Sequence, residues 1–571
     1  MNRVLIAALL LAAVSLSAQT FPNGVAAGDV KSDSVVLWAR STVAGDVRFL
    51  VYGRDSWPPV IHIRRVSVSD VTVPAKVEVS GLRAGQEYGY MVYAANGESM
   101  RGQFVTPAAP NEQRGLHFGV SGDWRGELAP YPSVTNASTA NLDFFVEFGD
   151  TIYADYPTPA VPKAQATTLA EFRAKHAEVY TAHNGLNSLA DLRRSTAVFA
   201  VIDDHEVTND FAGGAPPASD PRFASESGAF INETPLFASG MRAFNEYNPI
   251  REEHYSASPD ARLAGKLRLY RYRTFGKDAA MFVLDARSFR DRELAAANIG
   301  SAADVGRFLL QSFDIDPATG KPTATKRTML GQQQLADLKR DLTDAQSKGI
   351  TWKFVLVPEP IQNLGPAFGE DRYEGYARER SEVVGYVAAN GISNVVFVSA
   401  DVHGTLINNV TYSLGPLKPQ IQTGAFEIVT GAVAYDAPFG PTIVELAQAL
   451  HLLDAKSVAF YNSLPIKPDA DDIPNDKDDF VKSVVNQQLA PLGYDPLGLA
   501  GSPIDATLLQ GDYIAVHTYG WTEFEIDQRT QKLTLTTWGV PAYTQAQMQA
   551  GATSILAVKP AIVSKFTVTP R

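Results

Sequence analysis

Short apolar runs that stop on an acidic residue constrain this chain more than any other feature. LHFGVSGD (116–123) stops at Asp123, LDFFVEFGD (142–150) at Asp150, TAVFAVIDD (196–204) at Asp203 and Asp204, and NVVFVSAD (394–401) at Asp401. AAMFVLDAR (279–287) and TWKFVLVPE (351–359) are two more runs of the same kind. Runs of this length read as strands covered on both faces. Between several of them lie stretches with helical spacing of apolar residues, LAEFRAKHAEVY (169–180) and LGQQQLADLKRDL (330–342). The pattern predicts an α/β layered core, with its site where the strands run out at their carboxyl ends. One acidic strand end is commonly a helix cap or a turn former. Four that converge would repel one another and lose their hydration, so they must stay protonated or hold cations. Metal is the better compensation, and Tyr153, His205 and His403 add a phenol and two imidazoles to the same rim.

Composition narrows the chemistry. The 571 residues contain no cysteine, which removes disulfides, thiolate metal sites, iron–sulfur clusters and cysteine nucleophiles, so any metal is held by oxygen and nitrogen. A net charge of −12, from 50 basic and 62 acidic residues, repels polyanions, and no stable nucleic-acid complex is expected. The first eighteen residues, MNRVLIAALLLAAVSLSA (1–18), read as a signal peptide: one basic residue, an apolar run too short to span a bilayer, then small residues. Cleavage near Ala18 predicts a secreted or periplasmic protein with no membrane span left, and the absence of a twin-arginine pair predicts export in an unfolded state. Residues 21–108 read as a small all-β domain, in which GLRAGQEYGYMVY (81–93) has the turn and alternating tyrosines of a fibronectin- or immunoglobulin-like sandwich with a corner tyrosine. TPAAPNEQ (106–113) is a Pro-rich linker, and 115–571 is the catalytic unit.

SGDW (121–124), GDTIY (149–153), DDHE (203–206) and ADVH (400–403), in this order, resemble the blocks of the calcineurin-like metallophosphoesterase superfamily. Within it the chain resembles the alkaline phosphatase D (PhoD) family, through PNGVAAGDVKSDSVVLWAR (22–40), AEFRAKHAEVY (170–180), IDDHEVTND (202–210), FVLDARSFRD (282–291) and MLGQQQLADL (329–338). Residues 405–510 match poorly. The resemblance implies a metallophosphoesterase sandwich of mixed sheets flanked by helices. It makes Asp150 the bridge between two metals, with Asp123, Tyr153 and His403 completing one site and Asp204 and Asp401 holding the other. A phenolate, two carboxylates and an imidazole suit ferric iron, whereas an all-carboxylate site suits calcium, with magnesium, manganese or zinc as alternatives.

The chain departs from the family in places. Where the family commonly has a cysteine ligand, Gly122 and Asp123 stand here, in a word closer to purple acid phosphatases. Where purple acid phosphatases have a histidine after the fifth strand, this chain has Pro358 and Glu359, which leaves Glu359 as a candidate ligand. His205 is the candidate transition-state stabiliser or proton donor, Asn209 a candidate ligand or phosphate contact against a turn residue, and Arg125 a candidate phosphate grip against a pair with Glu127. Asp285 reads as scaffold. DADDIPNDKDDF (469–480) lacks the glycine-centred spacing of an EF-hand and reads as a solvated loop. The function expected is hydrolysis of small-molecule phosphate monoesters or diesters. The alternatives are a purple-acid-type monoesterase and a secreted binding protein on a dead phosphatase fold.

Overall fold

A computed structural model describes residues 20–54, 61–256, 260–435 and 437–571. The expected signal peptide, 1–18, lies outside the described residues, and among these no helix is long and apolar enough to cross a membrane.

All six apolar runs form strands, and they divide between two sheets. Leu116–Trp124, Phe144–Phe148 and Ala197–Val201 pair in parallel in one sheet. Ala279–Val283, Trp352–Leu356 and Val395–Ser399 pair in parallel in the other. Antiparallel strands extend both: Thr518–Ile526, Leu533–Pro541 and Ala561–Val568 on the first, Arg271–Phe275 and Thr405–Tyr412 on the second. Both sheets are therefore mixed.

Alternation along each strand decides what faces what. Phe118, Phe144 and Phe354 turn into the space between the sheets, where Phe118 stacks on Phe144 at 4.7 Å and on Phe524 at 4.6 Å and meets Phe354 edge-on at 5.0 Å. Phe145 and Val198 turn outward against the helices Leu169–Val179 and Pro235–Tyr247, and Phe282, Val355 and Phe397 against Gln332–Ser347 and Ala377–Ala389. The result is helices, sheet, sheet, helices, with the parallel strands of both sheets carrying their carboxyl ends toward one rim.

The N-terminal region is all strand. A four-stranded sheet contains Gly45–Gly53, Ile61–Val68, Glu87–Tyr93 and Ser99–Val105. Its three partners, Val25–Lys31, Ser34–Ala39 and Ala75–Ser80, also extend the first large sheet, because Val25–Lys31 pairs in parallel with Ala197–Val201. The corner tyrosine is Tyr88, whose hydroxyl accepts the Arg83 N–H at 2.8 Å.

The poorly matched stretch has defined structure. Thr405–Tyr412 and Ile421–Val429 complete the second sheet, and three helices follow, Phe439–Ala449, Ala455–Ser463 and Lys477–Leu489. Residues 469–480 are not simply a solvated loop. Asp476 caps the last of these helices, and Asp476, Asp478 and Asp479 are buried.

Candidate metal centre and active site

The strand ends meet because glycine precedes the first two aspartates. A Cβ on Gly149, at φ +74°, would come within 2.6 Å of Asp203 Cβ, and one on Gly122 would meet Phe148 O at 2.7 Å and Ala400 Cβ at 3.0 Å. The first glycine lets neighbouring strand ends touch, and the second lets the two sheets touch. Asp123, Asp150, Asp401 and His403 themselves have φ of 62°, 48°, 68° and 59°. Four non-glycine residues in the left-handed region at one rim is backbone strain of the kind functional sites keep. Glu206 stitches the turns together, accepting the N–H groups of Thr151 at 2.8 Å, Asp203 at 3.0 Å and Asp150 at 3.3 Å.

The side chains form one continuous cluster, in which Asp123, Asp150, Tyr153, Asp204 and Glu359 are buried and His205, Asp401 and His403 half-buried. The Tyr153 hydroxyl donates to Asp150 Oδ2 at 3.1 Å and to Asp123 Oδ1 at 3.2 Å, and His403 Nε2 lies 3.3 Å from Asp123 Oδ1. Asp123 therefore occupies the corner between the phenol and the imidazole. Asp150, Asp204 and His205 offer donor atoms within 4.8 Å of one another, and so do Glu359, Asp371 and Asp401. Arg287, fully buried between these groups, reaches Asp203 and Asp371 at 2.6 Å and Asp204 at 3.5 Å, and it also pairs with Glu359. Arg290 adds a second guanidinium to Glu359 at 2.7 Å and to Asp371. The charge of Glu359 is thus shared with two arginines, although its Oε2 is enclosed without a partner.

The electrostatics mark unmet negative charge. Burial, with Asp204, Asp203 and Asp123 close by, pushes Asp150 well above the usual carboxylate range. Burial beside Glu359 and Asp371 does the same to Asp401, and burial beside Asp150 and Asp123 raises the Tyr153 phenol. Asp204 moves the other way: burial opposes its ionisation, but Arg287 and His205 outweigh it. Burial likewise opposes a charge on His205, yet Asp204 and Asp155 push it up to about 10. Asp123 Oδ2 and Asp204 Oδ1 are enclosed and accept no hydrogen bond. Orphaned carboxylate oxygens beside a phenol and imidazoles are a donor set that fits hard or borderline cations.

Asp123, Asp150, Tyr153, Asp204, His205, Glu359, Asp401 and His403 all lie in or beside the cluster. Asn209 stands at its exposed rim, where its side chain donates to Asp210 and its N–H to Asp155 at 2.6 Å. Arg125 pairs with Glu127, and its guanidinium lies 3.5 Å over the Tyr156 ring and 5.8 Å from that of Tyr153. Asp285 accepts the N–H groups of Arg287 and Ser288, a scaffold role.

Sequence reasoning missed five residues. Asp155 holds His205 Nδ1 at 2.6 Å, and its place two residues past Tyr153 was the available signal. Tyr435 stacks on His403 with ring centres 3.5 Å apart, but it follows a three-residue strand too short to notice. Asp371 lies outside any apolar run. Arg287 and Arg290 follow Asp285 in a loop, and only the fold brings them to the acids.

An α/β double sandwich whose parallel strands end in one cluster of carboxylates, imidazoles and a phenol has the frame of a metal-fitted hydrolase, and its relatives make it a phosphoric ester hydrolase. The chain belongs to the PhoD-like phosphatase family: the model "PhoD-like phosphatase" matches residues 119–463, and "PhoD-like phosphatase, N-terminal domain" matches 8–108. The match thus runs well past residue 405, where the quoted sequence words stop. Alkaline phosphatase D of Bacillus subtilis (strain 168) is 27% identical over 435 residues, covering 70% of this chain and 67% of that protein. A solved structure of PhoD shares the fold, with a TM-score of 0.64 at 18% identity over 96% of this chain and 90% of that one. A purple acid phosphatase from yellow lupin (Lupinus luteus) seeds aligns at a TM-score of 0.46 and 9% identity over 96% of this chain and 75% of its own.

Proposed function

We propose that this chain is an exported two-metal phosphoesterase that cleaves small-molecule phosphate monoesters or diesters. The observation that carries the reading is the meeting of Asp123, Asp150, Asp204 and His403 in one cluster whose enclosed carboxylate oxygens are left without partners. Asp123, Asp150, Tyr153 and His403 would hold ferric iron, and Asp150, Asp204 and Asp401 calcium or another divalent ion. When bound, the pair neutralises the ester oxygens and acidifies a water.

The chain's own groups do the rest. Asp155 fixes the His205 ring through Nδ1, leaving Nε2 on the Asp204 side to give a proton to the leaving alkoxide oxygen. The Tyr435 ring, stacked on His403, holds that imidazole in place. Arg125, stacked on Tyr156, and Asn209, at the exposed rim, would orient the ester. A cleft of about 800 Å³, lined by Arg222, Arg292 and Glu293, lies beside Asp210, whose N–H donates to Asp204 Oδ2 at 2.6 Å. Hydrolysis of p-nitrophenyl phosphate and bis-p-nitrophenyl phosphate, before and after chelation, tests the proposal. Turnover that chelation abolishes and that iron with calcium restores supports it; no turnover of either ester with both metals supplied refutes it.

A further inference from the structure

A second acidic cluster, sharing no residue with the catalytic one, gathers at the start of the helix Lys477–Leu489. Asp469, Asp476 and Asp479 offer carboxylate oxygens within 4.8 Å of one another, and Asp472, Asp479 and Asp512 form an overlapping group. Asp476 and Asp479 are 1% and 2% exposed, and the Oδ2 of each is enclosed with no hydrogen-bond donor. The other oxygen of Asp476 caps the helix, accepting the Asp479 N–H at 2.9 Å. Lys482 faces the overlapping group and binds Asp512 at 2.7 Å and Asp472 at 2.5 Å. Asp478 is turned away from the cluster, accepting the N–H of Val516 at 2.9 Å and His517 Nδ1 at 2.6 Å. One lysine among five carboxylates leaves most of the charge unmet, and it does not reach Asp476 or Asp469.

We propose that Asp469, Asp476 and Asp479 bind a calcium ion separate from the catalytic metals. Calcium accepts irregular sets of oxygen ligands at ~2.3–2.6 Å, so donors on one ion lie within about 5 Å of each other, as these do. The ion has a structural task. Asp478 fastens this helix to Val516, the Val516 carbonyl accepts the Gly440 N–H, and the Phe439 N–H donates to the His403 carbonyl at 3.2 Å. Neutralising the helix start would secure that chain of bonds.

Calcium content and thermal midpoint of the full chain, with the Asp479→Asn variant beside it, test the proposal. The variant should carry one calcium fewer per chain. Its midpoint in chelator should rise, because a buried carboxyl oxygen without a partner is gone. The calcium-induced rise of roughly 2–5 °C expected of the parent should shrink in the variant. An equal calcium count in the two proteins overturns the site. So does a midpoint in chelator that falls on substitution, since Lys482 alone would then balance the carboxylates. If Asp479→Asn does not fold, Asp469→Asn, at a partly exposed position, gives the same count.

Discussion

Asp29 supplies a stability prediction with its size set by the structure. The residue sits in the strand Val25–Lys31 where pairing with Ser34–Ala39 shifts register, at φ 44°, and is 1% exposed. Its carboxylate lies 2.6 Å from Arg273, 3.3 Å from Arg251 and 3.4 Å from Arg271, so it ties the N-terminal strands to the edge of the second large sheet. Burial raises its pKa, but the three guanidiniums outweigh that and hold it down from 3.8 to about 2. The folded-state value is depressed, so the stability is fully present above pH ~4 and is lost as pH falls through ~2. The difference corresponds to about 2.4 kcal/mol at pH 7 and about 1.3 kcal/mol at pH 3. Asp29→Asn keeps the shape and tolerates a positive φ, and it removes the charge. The expected loss at pH 7 is at least ~2 kcal/mol, and up to ~5 kcal/mol where the arginines are left uncompensated. Glu78, 3.0 Å from Arg251, and Glu253, 3.6 Å from Arg271, pull the value toward the lower end. Urea unfolding of both proteins from pH 7 down to pH 3 reads the difference directly. A gap that stays constant across that range, or a variant as stable as the parent at pH 7, refutes the reasoning.

Other substitutions probe the site and the core. His205→Asn should lower kcat by about 10²–10⁴-fold while metal content is kept; a matching loss of metal would recast His205 as a ligand. Tyr153→Phe should remove any visible absorption band of the iron-loaded protein, and a band that persists would show that the phenol is not bound to iron. Phe118→Ala removes a 1% exposed ring stacked between two others and should cost about 3–5 kcal/mol in chemical unfolding. A cost under 1 kcal/mol would mean the sheets close over the gap.

The six strands, the two sheet-covering helices and the corner tyrosine were legible because each carries a local pattern that packing then uses. Asp123, Asp150, Asp204 and Asp401 were legible for a related reason: an acid ending an apolar strand has few bland uses when it recurs. What escaped detection depends on tertiary neighbours. Arg287 and Arg290 lie three residues apart in a loop, and only the fold shows that both guanidiniums enter the acid cluster. Asp155 and Tyr435 act through a side chain distant in sequence, on His205 and His403. The buried start of the helix Lys477–Leu489 was hidden by its composition, since six aspartates in twelve residues read as solvated until Asp476, Asp478 and Asp479 turn inward.

The central claim, that the converged carboxylates hold the metals that drive ester hydrolysis, is tested most directly by metal content and turnover measured together on the parent and on Asp150→Asn. The account predicts that the variant carries about two metal ions fewer per chain and loses turnover of p-nitrophenyl phosphate by several orders of magnitude. Full turnover by metal-free protein, or a variant with the parent's metal content and rate, would contradict it.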